Sequence, residues 1–148
     1  MKFVIQRVSE ASVEIAGKER ASIGPGLVIL MGIHRDDRAE DSERWIDKIL
    51  KLRIFPDEAK PINRSIQDID GEILLVSQFT LYADCQGGNR PSFIDAAQPE
   101  AAKRIYDSFV DRLKEKWPRT QTGEFAAVMK VRLCNDGPVT IVLDTSSL

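Results

Sequence analysis

Two hydroxyls and one carboxamide fall together at Ser77-Gln78-Phe79-Thr80. They follow the apolar run Ile73 to Val76, which reads as a buried strand. A strand covered on both sides is a rigid platform, and the loop leaving it is where chemistry is usually displayed. Ser and Thr at a strand end satisfy backbone groups more often than they catalyse, so the cluster marks a place rather than a reaction. The remaining inventory narrows what that place could do. The single histidine, His34, sits in His34-Arg35-Asp36-Asp37, which reads as a solvated strand-to-helix loop. Any Ser-His-Asp or Cys-His arrangement would have to use it. Two distant cysteines, Cys85 and Cys134, and one histidine do not make a usual zinc or iron ligand set, so no metal is expected. Carboxylates are plentiful, but no pair stands out by spacing. An enzyme with this inventory lacks a strong general base, so its substrate must be labile or bring its own reactive groups.

The elements that would position this cluster are legible along the chain. Phe3 to Ile15 reads as β, and with the turn at Ala16-Gly17-Lys18-Glu19 and a return to Ile23 it suggests a hairpin. Gly24-Pro25-Gly26 is a tight break, and Leu27 to Gly32 suits a central strand covered on both faces. Asp37, three residues ahead of Glu40, resembles a capping box; Trp45, Ile46, Ile49 and Leu50 then recur at helical spacing, with Pro56 as the stop. The glycine-rich loop Cys85-Gln86-Gly87-Gly88-Asn89-Arg90 has neither the lysine nor the following helix of a phosphate cradle. Arg90 is left as a candidate contact to an RNA phosphate or sugar. Pro99 suits the first turn of a second helix, whose apolar stripe runs Ala102, Ile105, Tyr106, Phe109, Leu113 and Trp117 before Pro118. At the C-terminus, Ala127 to Leu133 and Val139 to Leu143 alternate around Asn135-Asp136-Gly137-Pro138 and predict a hairpin. Together these give an α/β fold: a single layered domain over residues 1–148, with a mixed β-sheet, terminal hairpins and two main helices.

Composition bounds the partners. A chain of 148 residues with 43% apolar and 30% charged residues is ordinary for one globular domain. The longest apolar run, Leu27 to Ile33, is too short for a membrane span. The first residues lack a signal-peptide core, so the expected location is the cytoplasm, with both cysteines as free thiols. A net charge of −2 argues against coating long stretches of nucleic acid, but not against gripping an RNA end through a few contacts.

Taken in order, Gln6-Arg7-Val8, Ile23-Gly24-Pro25-Gly26-Leu27, Leu52-Arg53-Ile54-Phe55-Pro56-Asp57-Glu58, Asn63-Arg64-Ser65, Ser77-Gln78-Phe79-Thr80-Leu81, Arg90-Pro91-Ser92-Phe93, Thr122-Gly123-Glu124-Phe125 and Asn135-Asp136-Gly137-Pro138-Val139-Thr140 resemble the D-aminoacyl-tRNA deacylase family over essentially the whole chain. Two departures are visible. The loop Gln86-Gly87-Gly88-Asn89 lacks the basic residue that the family often carries there, and Ala126 stands where glycine is common. The resemblance implies a homodimeric hydrolase. It would cleave the ester joining a D-amino acid, or mischarged glycine, to the 3′-terminal adenosine of tRNA, with no cofactor.

Carried over by position, Ser77, Gln78 and Thr80 are the catalytic candidates, and Phe79, Phe125 and Met129 the substrate-binding ones. Two mechanisms stay open. Thr80 could be the nucleophile, or the RNA's own hydroxyl could assist while the protein positions the ester. The second is favoured, because nothing in the sequence deprotonates a threonine. By the same resemblance, Gly137-Pro138 would be cis and would project into the partner subunit's pocket, braced by Arg7. There its main chain would reject an L side chain. Local sequence alone predicts the trans form, since cis is only ~5–6% of bonds preceding proline. Two other functions remain in view: an editing domain that removes a wrong L-amino acid, and a non-enzymatic RNA-binding or dimeric scaffold module.

Overall fold

A long first strand organises the sheet. In the computed structural model, which describes residues 1–147, β1 (Lys2–Ile15) carries neighbours on both edges. Its first half pairs antiparallel with β3 (Gly26–Gly32) and its second half with β2 (Lys18–Ile23). The other edge is taken along its whole length by β6 (Met129–Asp144). Beyond β3 the sheet becomes parallel, through β4 (Glu72–Ser77) and the short β5 (Thr120–Thr122). The mixed sheet curls into a nearly closed barrel. Helices α1 (Ser42–Leu50) and α2 (Pro99–Lys116) complete the fold.

The continuous apolar runs of β3 and β4 follow from burial on both faces. Leu27, Ile29 and Met31 on β3, with Ile73 and Leu75 on β4, enter the cluster beneath the helices. Val28, Leu74 and Val76 point the other way, into a second cluster with Val8, Ala11 and Val13. Both helices bury the predicted stripes: Trp45, Ile46, Ile49 and Leu50 on α1, and Ala102, Tyr106, Phe109 and Leu113 on α2. Phe3 joins them, its ring 5.6 Å from that of Phe109 and 6.3 Å from that of Trp45. Lys116 ties α2 to α1 through Glu43 at 3.0 Å and Asp47 at 2.7 Å.

Four expectations change. The C-terminal hairpin does not form: its intended arms are two parts of one strand, β6, and both pair with β1. A 14-residue β1 offers a ladder long enough for both, and alternation identifies a strand without naming its partner. Residues 136–139 leave the ladder opposite Arg7, between the pairs Val8–Asn135 and Gln6–Thr140. The capping box is also absent. Asp37 instead accepts from the amide of His34 at 2.6 Å and pairs with the amino group of Met1 at 2.7 Å, so α1 starts later, at Ser42. It ends at Leu50 rather than near Pro56. Finally, the polar triplet forming β5 carried no strand signal.

At the start of the parallel pair, Gly26 lies opposite Glu72. A Cβ there would stand 1.8 Å from the Glu72 carbonyl oxygen, whereas one on Gly87 would meet nothing within 4 Å. Gly26→Ala is therefore expected to cost about 1–3 kcal/mol by overpacking, read as a lower urea midpoint, while Gly87→Ala leaves the midpoint unchanged.

Candidate functional site

Ser77 ends β4 and pairs with Met31, the penultimate residue of β3. The amide of Gln78 donates to the Met31 carbonyl at 2.8 Å, so the chain is still held to the sheet as it turns. It then enters a short 3-10 turn, Phe79–Tyr82, with Leu81 N–H donating back to the Gln78 carbonyl. This leaves the amides of Phe79 and Thr80 in the first turn, where a helical chain supplies no internal acceptor. Neither amide has an acceptor among the described residues. Gln78 Nε2 donates to Thr80 Oγ1 at 2.5 Å. No carboxylate or imidazole is hydrogen-bonded to that hydroxyl among the described residues.

A cavity of about 390 Å³ opens beside this turn. Ser77 and Phe79 form one side, Met31 and Ile33 the floor, and Phe93 and Phe125 further walls. Phe79 is 56% exposed and meets Phe93 edge-on at 5.0 Å between centroids, an arrangement suited to a flat apolar group. Phe125 is seated against Tyr106, 5.6 Å between rings, and the Tyr106 hydroxyl donates to the Leu75 carbonyl at 3.2 Å. Burial pushes the Tyr106 hydroxyl well above the usual phenol range, so it stays a neutral donor. A larger depression, about 640 Å³, lies elsewhere on the sheet, and its lining carries three carboxylates, Glu10, Glu19 and Glu72, against one cation, Arg132. Its carboxylates suit an anionic RNA end poorly, so the smaller cavity is the better candidate.

The predicted residues thus divide. Ser77, Phe79 and Phe125 line the cavity, and Gln78 and Thr80 sit on the turn at its rim. Met129 does not line it; its sulfur lies over Gly123, close enough that a Cβ there would be 2.6 Å away. His34 is occupied: its Nδ1 accepts from the Asp36 amide at 3.2 Å, and its ring lies 5.2 Å from that of Tyr82. Arg90 lies in an exposed loop. The walls supplied by Phe93, Ala96 and Ala97 were not anticipated. They are fixed by backbone pairing, with Ala97 N–H donating to the Ile33 carbonyl at 2.9 Å, and nothing in their residue types announces it.

Arg7, Gly137 and Pro138 form a separate group. The Gly137–Pro138 bond is cis, and both residues are exposed. Asn135 spans the excursion, its Oδ1 accepting from Val139 N–H at 3.0 Å and its Nδ2 donating to Thr140 Oγ1 at 3.2 Å. Arg7 is only 7% exposed. Its Nε donates to the Asp136 carbonyl at 2.9 Å and its Nη1 to the carbonyls of Ile54 at 2.8 Å and Pro61 at 3.3 Å. Arg7 pairs with Leu27, whereas Ser77 pairs with Met31. Four residues along β3 and three strand spacings, a path of roughly 20 Å over the surface of the sheet, lie between Gly137 and Ser77 in one chain.

The segment under Arg7 is held by polar side chains. Asp57 accepts from the amides of Ala59 at 2.8 Å and Lys60 at 2.7 Å, and from Asn63 Nδ2. Its carboxyl is held below the usual range, first by the Asn63 contact and then by those amides. Asp68 is lowered by hydrogen bonds from the Ser65 amide and hydroxyl. Since both folded-state values lie below the unfolded ones, the stability they contribute is full above the ordinary carboxylate range and is lost as pH falls through the lowered values. The melting temperature is expected to fall between about pH 5 and about pH 3, and Asp57→Asn to flatten part of that slope.

A family model described as D-Tyr-tRNA(Tyr) deacylase matches residues 4–144. The D-aminoacyl-tRNA deacylase of Thermotoga petrophila is 51% identical over 148 residues, covering 100% of this chain and 99% of its own. That of Paracidovorax citrulli is 54% identical over 143 residues, covering 97% of this chain and 92% of its own. Among solved structures, a c-Myc DNA unwinding element binding protein superimposes with a TM-score of 0.92 at 41% identity, covering 98% of this chain and 99% of that one. A second, titled as a "probable eukaryotic D-amino acid tRNA deacylase", gives 0.84 at 16% identity, covering 96% of this chain and 97% of that one, and speaks for the fold alone.

Proposed function

From a chain that belongs to the D-Tyr-tRNA(Tyr) deacylase family, we propose an enzyme that hydrolyses the ester of D-aminoacyl-tRNA, consuming water and releasing a free D-amino acid and tRNA. The observation that carries this reading is the turn after β4. It leaves the amides of Phe79 and Thr80 without an acceptor among the described residues, beside a cavity walled by Phe79, Phe93 and Phe125. The aromatic walls receive the terminal adenosine. The two amides stabilise the oxyanion that develops as the ester carbonyl is attacked, and a single such donor is typically worth ~10²–10³ in rate. An aminoacyl ester is activated and carries a neighbouring ribose hydroxyl, so positioning supplies most of what the reaction needs. The Gln78–Thr80 hydrogen bond supports a positioning role for Thr80, because the hydroxyl's neighbour is a donor rather than a base.

Handedness is assigned to the Gly137–Pro138 main chain of a second copy. Its exposure, and its distance from Ser77 within one chain, support a homodimer in which it reaches the other subunit's cavity. The outer edge of β6, which pairs with no further strand among the described residues, is an edge that natural proteins normally cover. Main chain set beside the substrate Cα rejects an L side chain, admits a D one, and lets glycine pass because glycine has nothing to collide. No helix among the described residues is long and apolar enough to cross a membrane, in keeping with a cytoplasmic enzyme acting on tRNA.

The purified protein should release D-Tyr from D-Tyr-tRNA and leave L-Tyr-tRNA intact; equal stripping of both overturns the proposal, and preference for an L substrate favours an editing domain. Thr80→Val should lower kcat on D-Tyr-tRNA by roughly tenfold, the loss of one positioning hydrogen bond and its neighbours. A fall beyond ~10³ would instead make Thr80 the nucleophile.

A further inference from the structure

The segment Arg53 to Arg64 does not line the cavity, yet it holds a dense network of side-chain hydrogen bonds. Its two arms meet at Phe55 and Arg64, with Phe55 N–H donating to the Arg64 carbonyl and Arg64 N–H to the Phe55 carbonyl, both at 2.8 Å. A turn closes at Asp57, whose amide donates to the Lys60 carbonyl at 2.9 Å. Asn63 then links the arms a second time: its Nδ2 donates to Asp57, and its Oδ1 and carbonyl accept from the Arg53 guanidinium. The product of this clamp is a fixed pair of carbonyls, Ile54 on one arm and Pro61 on the other, and both accept from Arg7 Nη1. Arg7 in turn donates to the Asp136 carbonyl and lies so close to Gly137 that a Cβ there would be 2.9 Å from Nη2.

The geometry points to the Arg53–Asp57–Asn63 clamp as a specificity-positioning element that sets, through Arg7, where the Gly137–Pro138 main chain stands. This rests on the reading that Gly137–Pro138 discriminates handedness. Discrimination by collision depends on main-chain position to a fraction of an ångström. Residues 136–139 have no ladder opposite them to supply that precision. The buried guanidinium supplies it only if its own acceptors are immobile, and Asn63 adds the side-chain link that holds them beyond the Phe55–Arg64 backbone pair. Asn63 and Asp57 are half-buried, do not line the cavity and make no hydrogen bond to the excursion among the described residues, so loosening them should change selection and spare the chemistry.

The test is the D:L ratio of kcat/KM on D-Tyr-tRNA and L-Tyr-tRNA, measured on the full-length protein. Asn63→Asp sets a carboxylate against Asp57. It is expected to lower the ratio about five- to tenfold, the scale of the net contribution of one hydrogen bond, while kcat/KM on D-Tyr-tRNA stays within about twofold. The exchange Asp57→Asn with Asn63→Asp restores a donor–acceptor pair with its direction reversed, keeps an acceptor for Arg53, and should return the ratio to that of the parent. Asn63→Ala serves if the single charge variant melts below the assay temperature. Arg7→Lys is the reference. If Arg7→Lys relaxes the ratio and neither Asn63 variant does, or if the exchange fails to restore it, the clamp assignment is overturned and the reading of Gly137–Pro138 stands. If Arg7→Lys and the Asn63 variants all leave the ratio unchanged, the assignment of handedness to Gly137–Pro138 falls, and the clamp with it.

Discussion

A guanidinium taken out of water must have its donors met inside the protein. Arg7 meets that demand with main-chain carbonyls from two irregular segments rather than with a carboxylate. The nearest carboxylate, Asp136, stands 3.7 Å away with an exposed side chain, a pairing that contributes little. Carbonyls fixed in the backbone place a charge more exactly than a mobile carboxylate can, and the placement works in both directions. One side chain on β1 thereby locates the Arg53–Arg64 segment and the excursion in β6, neither of which has a continuous strand ladder to locate it.

The other anchor is the pair β3 and β4. Both faces of both strands are buried, so Ser77 emerges from the stiffest part of the molecule. The cavity's opposite wall is joined to the same strands through Ala97 and Ile33, and Phe125 leans on Tyr106 of α2. The site is thus a strand end enclosed by loops, each tied back to the sheet or to a helix. On the proposed reading this division suits the reaction. An activated ester asks for fixed donors and a shaped floor, and the turn after β4 supplies both without a titrating base.

Much of this was legible in the residues because burial writes its own pattern. The unbroken apolar runs of β3 and β4 announced strands covered twice, and the stripes of α1 and α2 announced helices covered once. The turn after β4 was visible as polar side chains crowded after such a run. The failures share one cause: they depend on which partner an element finds. Alternation at Val131, Leu133, Val139 and Ile141 identifies β structure but not that both stretches pair with β1. Asp37 has the chemistry of a cap, yet it binds the amino group of Met1 and the His34 amide instead. Phe93 and Ala96 are ordinary residues made part of a cavity by a backbone bridge between Ala96 and His34. Arg7 could be marked only by resemblance, because a lone arginine in a strand declares nothing until its burial is known.

The hairpin that failed to form also bears on how a site would be assembled. Had Ala127 to Leu143 folded back on itself, Gly137 would sit at a hairpin tip, free to move with it. Because both stretches lie on β1 instead, the excursion is pinned on each side by ladder pairs, spanned by Asn135 and held from beneath by Arg7. A protrusion of that kind cannot fold back across three strands to reach Ser77 in its own chain. On the proposed reading, in which the two act on one substrate, they would come from two copies, each lending its main chain to the other's cavity.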